Sequence, residues 1–180
     1  MTTILGVSAS PDSGGRTATG VAAVLRGAAD ARAETRLLEL ATTDTAEALA
    51  AIAAADAIVL ASPVYRATIS RQLKQLLEHL ERGKWGEQTA PLRGKAAAIV
   101  MTGASWHHFL SLGDLRNILA SFFAVQVLSP GLYLEPSQYA GREHLTDDAE
   151  AVARLHGAAL VALADVCAHA AVFTRLEPQA

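Results

Sequence analysis

Apolar residues are spread along this chain in two alternating rhythms. Short unbroken apolar blocks occur at residues 3–8 (TILGVS), 57–61 (AIVLA) and 95–102 (KAAAIVMT), each followed by small or turn-forming residues. Such blocks predict strands buried on both faces. Between them, apolar residues recur every three or four positions, the period of a helix with one buried face. Val21, Val24, Leu25 and Ala28 predict a helix over 17–29. Leu49, Ile52 and Ala53, behind Asp44 as N-cap, predict another over 44–54. Leu73, Leu76, Leu77 and Leu80 predict a third that runs to about Arg82 and ends at Gly83. Two more helices are predicted over 106–123 and over 147–171, the last capped by Thr146 or Asp147. Residues 34–40, with Leu38 and Leu40 inward, predict the second strand, and 125–128 with 132–134 a fifth, interrupted by a bend or bulge at Ser129-Pro130-Gly131. Residues 83–94 read as a polar connection.

Strands apolar on both faces that alternate with helices imply a parallel sheet covered on both sides. The chain, residues 1–180, is therefore expected to form one α/β domain: a flavodoxin-like three-layer sandwich with a five-stranded parallel sheet in the order 2-1-3-4-5. Composition narrows the function classes. Hydrophobic residues make up 51% of the chain, ample for a core, and the formal net charge is -3 without any run of Lys or Arg. A nucleic-acid partner is not expected. The single cysteine, Cys167, permits neither an intrachain disulfide nor a Cys-based zinc site. The N-terminus opens into a strand without signal-peptide features, and no apolar stretch of about 20 residues is read. A soluble, cytoplasmic protein with no membrane partner is the expectation.

In an open parallel sheet, ligands lie beyond the carboxyl ends of the strands, where strand order reverses. Three loops fall there. The first, 8–19 (SASPDSGGRTAT), gathers hydroxyls, glycines, Arg16 and a helix N-terminus, a set suited to a phosphate monoester; the plain alternative is that its Ser and Thr residues only cap the helix. It is neither a Walker loop nor a G-x-G-x-x-G dinucleotide loop. In the second, SPVYRATIS (62–70), Pro63 ends the strand at the sheet rim. Val64 and Tyr65 are expected to present backbone N–H groups and a ring, Arg66 either faces solvent or reaches an anion, and Thr68 or Ser70 caps the next helix. The third, Thr102-Gly103-Ala104-Ser105 followed by Trp106-His107-His108, offers small residues that let a flat ring approach the backbone. Adjacent helical histidines diverge by about 100°, so a metal site is not read there.

Together these loops resemble the NADPH-dependent FMN reductase family, over roughly residues 4–139. SASPDSGGRT resembles its G-S-P-R…S-R-S loop, SPVYRATISRQLKQLLEHL its T/S-P-V-Y-K-A…L-K…L-L-D segment, and MTGASWHH its A-T-G-G-T…A-H-L-L stretch. The resemblance implies FMN and a hydride donor, NADPH or NADH. It implies that Ser8, Ser10, Arg16, Thr17, Ala18 and Thr19 hold the flavin phosphate. Pro63, Val64, Tyr65 and Arg66 would line the isoalloxazine, with Thr102, Gly103, Ser105 and His108 along its other edge. No general acid or base is required; the catalytic part is positioning of flavin and nicotinamide, with Tyr65, Arg66 and His108 as candidates. Donors from the Tyr65 and Arg66 region or the Thr102-Gly103 turn would stabilise charge on the reduced ring, Arg66 would also help place the nicotinamide nucleotide's phosphates, and His108 either lies near the ring or reads equally as a helix residue bonded to nearby backbone. Ala9, Asp12 and Arg71 depart from the family pattern, and 83–94 is a longer connection. The implied function is flavin reduction that supplies a partner monooxygenase. The rivals are a tightly FMN-bound quinone, azo or chromate reductase and a non-enzymatic electron carrier. Association into a homodimer or homotetramer is expected through the helix 66–82.

Overall fold

The computed structural model describes residues 1–178. Its strands β1 (Thr3–Ser8), β2 (Glu34–Glu39), β3 (Ala57–Pro63), β4 (Ala96–Thr102) and β5 (Gln126–Val127) form one parallel sheet in the order β2-β1-β3-β4-β5, as the alternation predicts. The bent fifth strand is realised as two short pieces. β5 pairs with the start of β4 and β6 (Leu132–Leu134) with its end, Val100 opposite Leu132 and Thr102 opposite Leu134.

Alternation along β3 and β4 sends the larger side chains to one face and the smaller to the other. Ile58, Leu60, Ile99 and Met101 join the core beneath α2 (Thr45–Ala54), α3 (Arg71–Glu78) and α4 (Ser111–Asn117). Ala57, Val59, Ala61, Ala96, Ala98 and Val100 face α1 (Arg16–Asp30) and α5 (Asp147–His169). Small side chains on that face let the two long helices sit close. Gly27 and Gly157 mark where they cross: a Cβ on Gly27 would lie 1.9 Å from the Arg154 carbonyl oxygen, and one on Gly157 1.9 Å from that of Val24. No side chain larger than hydrogen fits either position.

Two predicted helices differ. The leucine helix starts at Arg71, not 66, and stops at Glu78 rather than near Arg82, because residues 65–68 form a tight turn and Ser70 is the N-cap, its hydroxyl accepting from Leu73 N–H. Leu73, Leu76, Leu77 and Leu80 are all buried within the chain, and the outer face carries Arg71, Lys74, Gln75 and Glu78. The apolar surplus expected there for self-association is absent. The helix predicted over 106–123 breaks into a 3-10 turn at Trp106–His108, α4, and a π-helical turn at Ile118–Phe122. On α2, Ala48 and Ile52 are buried whereas Ala53 is exposed. α5, capped by the Thr146 hydroxyl, spans 23 residues with a mean hydropathy of 1.5 over its most apolar window, contrary to the reading that no such stretch exists. One face of it is core, through Ala153, Leu160, Val161 and Ala164 against the sheet and α1.

Candidate functional site

The loops at the carboxyl ends of β1, β3 and β4 converge, as the switch-point rule requires, on a crevice of about 680 Å³. Its wall includes Ser10, Arg16, Thr17, Pro63, Val64, Tyr65, Thr102 and Gly103, eight of the residues predicted from sequence. The α1 N-terminus opens into it. Gly15 is the N-cap and no side chain caps the helix, so the first-turn amides remain available to a ligand. The Ser and Thr residues of the loop therefore do not play the plain capping role. Thr17 and Thr102 join their hydroxyls at 2.9 Å, buried, which locks the helix start to the end of β4.

The loop preceding α1 is held from outside. The Glu39 carboxylate at the end of β2 accepts from the Ser13 hydroxyl and from Gly14 N–H, both at 2.8 Å. Gly14 has φ +62°, the left-handed region open to glycine. Ser10 Oγ accepts from Asp12 N–H at 3.2 Å. Two guanidinium groups, Arg16 and Arg142, and one carboxylate, Asp12, stand on the crevice wall, an excess of positive charge.

The stretch SPVYRATIS serves as a fastening. Ser70 N–H donates to Ser62 Oγ at 2.7 Å, and the Ser70 hydroxyl donates to the Ala9 carbonyl at 2.7 Å, so one buried serine pair ties the second loop to the first. The expectation that Val64 and Tyr65 offer free amides is overturned. Val64 N–H donates to the Thr102 carbonyl at 2.7 Å, and Tyr65 and Thr68 exchange backbone hydrogen bonds at 3.0 and 3.1 Å. What the turn presents is the Tyr65 ring, half exposed at the crevice edge. Arg66 and Ala67 pay for the turn with φ of 50° and 65°, a geometry of type I′ that glycine and asparagine normally occupy.

The other predicted residues lie off the crevice wall. Ser8 is wholly buried at the end of β1, its hydroxyl without a partner. Ala18 is buried in α1, and the Thr19 hydroxyl donates to the Gly15 and Arg142 carbonyls at 3.3 and 3.0 Å. Arg66 is exposed on the turn. Ser105 is engaged through its carbonyl, which accepts from the Tyr133 hydroxyl at 2.6 Å. His108, in the 3-10 turn, buries an unpartnered Nδ1 away from the crevice lining.

A fourth rim segment, 134–142, lies outside the three loops that the sequence pattern points to. It supplies Leu134, Tyr139, Gly141 and Arg142. The Arg16 guanidinium lies 5.3 Å from the Tyr139 ring centre, and the Tyr139 hydroxyl donates to the Arg16 carbonyl at 3.0 Å. Burial raises the Tyr139 phenol well above its ordinary pKa, so it stays neutral and acts as a donor. Arg142 Nε donates to the Gly14 carbonyl at 3.3 Å. The signal was present in the sequence: β6 also ends at the crevice rim, and its loop carries an aromatic residue followed by a cation.

An open parallel sheet of order 2-1-3-4-5 with an anion-suited loop after its first strand defines the flavodoxin-like class. Solved structures agree with that fold: the apo NADH:FMN oxidoreductase EMOB superposes with a TM-score of 0.75 at 24% identity, covering 92% of this chain and 90% of its own. A flavodoxin from the domain Archaea superposes at 0.61 and 14%, covering 92% and 99%. The chain belongs to the NADPH-dependent FMN reductase family, whose sequence pattern matches residues 2–138. Among its relatives, the NADH-dependent FMN reductase SfnF of Pseudomonas putida is 31% identical over 112 residues, 59% of this chain and 56% of that protein. The chain spans about half the length of the curated relatives it matches.

Proposed function

We propose that the protein is an NAD(P)H:flavin oxidoreductase that reduces FMN in the crevice and releases it to a flavin-dependent monooxygenase. The observation that carries this reading is the uncapped α1 N-terminus, which with Arg16 and Arg142 lines a crevice that Thr102, Gly103 and Ala104 also line. The residues present fit the group. About 680 Å³ lies within the range of small-molecule sites, roughly 300–1,000 Å³. First-turn amides and the Ser10 and Thr17 hydroxyls are donors suited to a phosphate, and the helix dipole favours its charge.

When bound, the flavin would supply the redox chemistry, as acceptor of a hydride from a nicotinamide nucleotide. The chain's part is positioning. Pro63, Tyr65, Gly103 and Ala104 line the crevice and would hold the ring, and the half-exposed Tyr65 side chain would offer a planar surface for stacking. Position 103 is held to glycine by packing, because a Cβ there would meet the Tyr133 hydroxyl at 1.8 Å. Asp12 on the wall and Glu39 behind the loop temper the positive field, which favours a flavin that exchanges over one held permanently.

Stopped-flow oxidation of NADPH and NADH with added FMN, FAD and riboflavin tests the reading. The expected result is colourless purified protein and turnover that is fastest with FMN. A yellow protein that reduces quinones but not free FMN favours the tight-binding rival. No oxidation with any flavin or quinone leaves only the electron-carrier class.

A further inference from the structure

We infer that residues 139–145 form a specificity strap, in which Arg142 joins Arg16 to favour a flavin that ends in a phosphomonoester over one that continues through a diphosphate bridge. The inference rests on the flavin-reductase reading above and names the feature that chooses among flavins. The strap is a closed loop. Tyr139 and Leu145 pair as an isolated antiparallel bridge, Ala140 N–H donates to the His144 carbonyl at 3.0 Å, and Thr146 N–H donates to that of Gln138 at 2.9 Å. Its tip, Gly141, Arg142 and Glu143, is exposed, and Gly141 and Arg142 line the crevice. The family's sequence pattern spans residues 2–138. The strap starts at the next residue, so it belongs to this chain rather than to the shared pattern.

Three hydrogen bonds lay the strap across the start of α1. The Tyr139 hydroxyl donates to the Arg16 carbonyl at 3.0 Å, the Thr19 hydroxyl to the Arg142 carbonyl at 3.0 Å, and Arg142 Nε to the Gly14 carbonyl at 3.3 Å. On the α1 side these bonds use two carbonyls and a hydroxyl, so the first-turn amides stay out of them. Arg142 spends only Nε. Among the described residues its Nη1 and Nη2 make no hydrogen bond or ion pair, which leaves the open fork of the guanidinium for a ligand. The strap also braces the second cation, because the Arg16 guanidinium lies 5.3 Å from the Tyr139 ring centre. Two cations then stand against one carboxylate, Asp12, on the crevice wall.

That balance suits one kind of phosphate. A monoester carries about −1.5 to −2 charges at neutral pH and three acceptor oxygens, enough to engage both guanidinium groups and the α1 amides. A phosphate within a diphosphate bridge carries a single charge and has one oxygen fewer to offer. It also needs room for the nucleoside beyond it, and the strap bounds the crevice beside the α1 N-terminus. Riboflavin brings no charge to either arginine.

Fluorescence titration of FMN, FAD and riboflavin into the natural chain and into Arg142→Ala, in a phosphate-free buffer, tests the strap by binding alone. Arg142 is exposed, so the replacement leaves the fold intact, as an unchanged circular dichroism spectrum and melting point would register. The natural chain binds FMN more tightly than FAD or riboflavin. In Arg142→Ala the FMN Kd rises by roughly tenfold, the loss expected for one charged hydrogen-bond partner, while the FAD and riboflavin values move by less than about twofold. An FMN Kd that does not move, an equal rise for all three flavins, or a natural chain that binds FAD as tightly as FMN overturns the strap and leaves the flavin reading standing. A natural chain that binds no flavin overturns both.

Discussion

At the residue scale, the positions that shape the crevice act mostly through backbone. Arg66 and Ala67 both sit in the left-handed region, where a side chain costs on the order of 1–2 kcal/mol. Ala67→Gly removes one such cost but adds chain entropy to the unfolded state. The expected net gain is about 0.5–1 kcal/mol, read as a higher urea midpoint at unchanged slope. An unchanged or lower midpoint means the turn is not strained. Glu39 acts on the loop without reaching the crevice wall, its two oxygens fixing Ser13 and Gly14. Glu39→Gln keeps the shape, gives up an acceptor and removes a charge behind the loop proposed to hold the phosphate. The FMN KM should change several-fold while the riboflavin KM and kcat hold; equal changes for the two flavins would mean the residue matters only to folding. Glu39 could not be picked from the sequence, because its role arises from β2 pairing in register with β1, Ser8 opposite Glu39. Ser10, Thr17 and Thr102 could be, since a loop at a known end of a known strand has only one crevice to face.

At the element scale, α1 and α5 are joined by a glycine crossing and by charge. Gly157→Ala drives a methyl into the Val24 carbonyl, and the helices must separate. Overpacking of this kind costs about 1–3 kcal/mol, measurable by chemical denaturation. Beside the crossing, Arg26 donates twice to Glu150 at 2.7 Å, and Arg154 bonds both Glu150 and Asp30. The hydrogen bond from Arg26 is the main reason the Glu150 carboxyl titrates below its ordinary value. An acid lowered in the folded state stabilises above its unfolded pKa, about 4.3, and that contribution is lost as pH falls through the folded pKa. The stability gap between the natural chain and Glu150→Gln should hold from neutrality to about pH 5 and close below about pH 4; a gap independent of pH would exclude this cause. The strands and these two helices were legible because each is a single unbroken pattern. α4 was not: leucines and phenylalanines recur through 106–123, but Phe109 and Leu110 turn outward and a π-helical turn shifts the phase before Phe123. Periodicity alone does not register an inserted residue.

At the scale of the whole molecule, the sheet order was readable because alternating strands and helices leave few unknotted arrangements. The crevice follows from that order, and so do three of its four rims. The convergence also makes the fold a sensor of its ligand: anything bound between the α1 N-terminus, the Tyr65 turn and the Gly103 loop stabilises all three elements together. At a hundredfold excess over Kd, binding adds about 2.7 kcal/mol. For a chain of this length that raises Tm by roughly 5–10 °C. On the proposed binding mode, riboflavin would fill the same crevice but leave the first-turn amides, Ser10 and Thr17 without an anion, and losing a charged hydrogen-bond partner costs about 1.5–3 kcal/mol. Its affinity falls tenfold or more, so at equal concentration its stabilisation drops to about half that of FMN or less. Scanning calorimetry in a phosphate-free buffer separates the two. Equal shifts for FMN and riboflavin would place the phosphate outside the α1 loop, and no shift with either would remove the crevice as a flavin site.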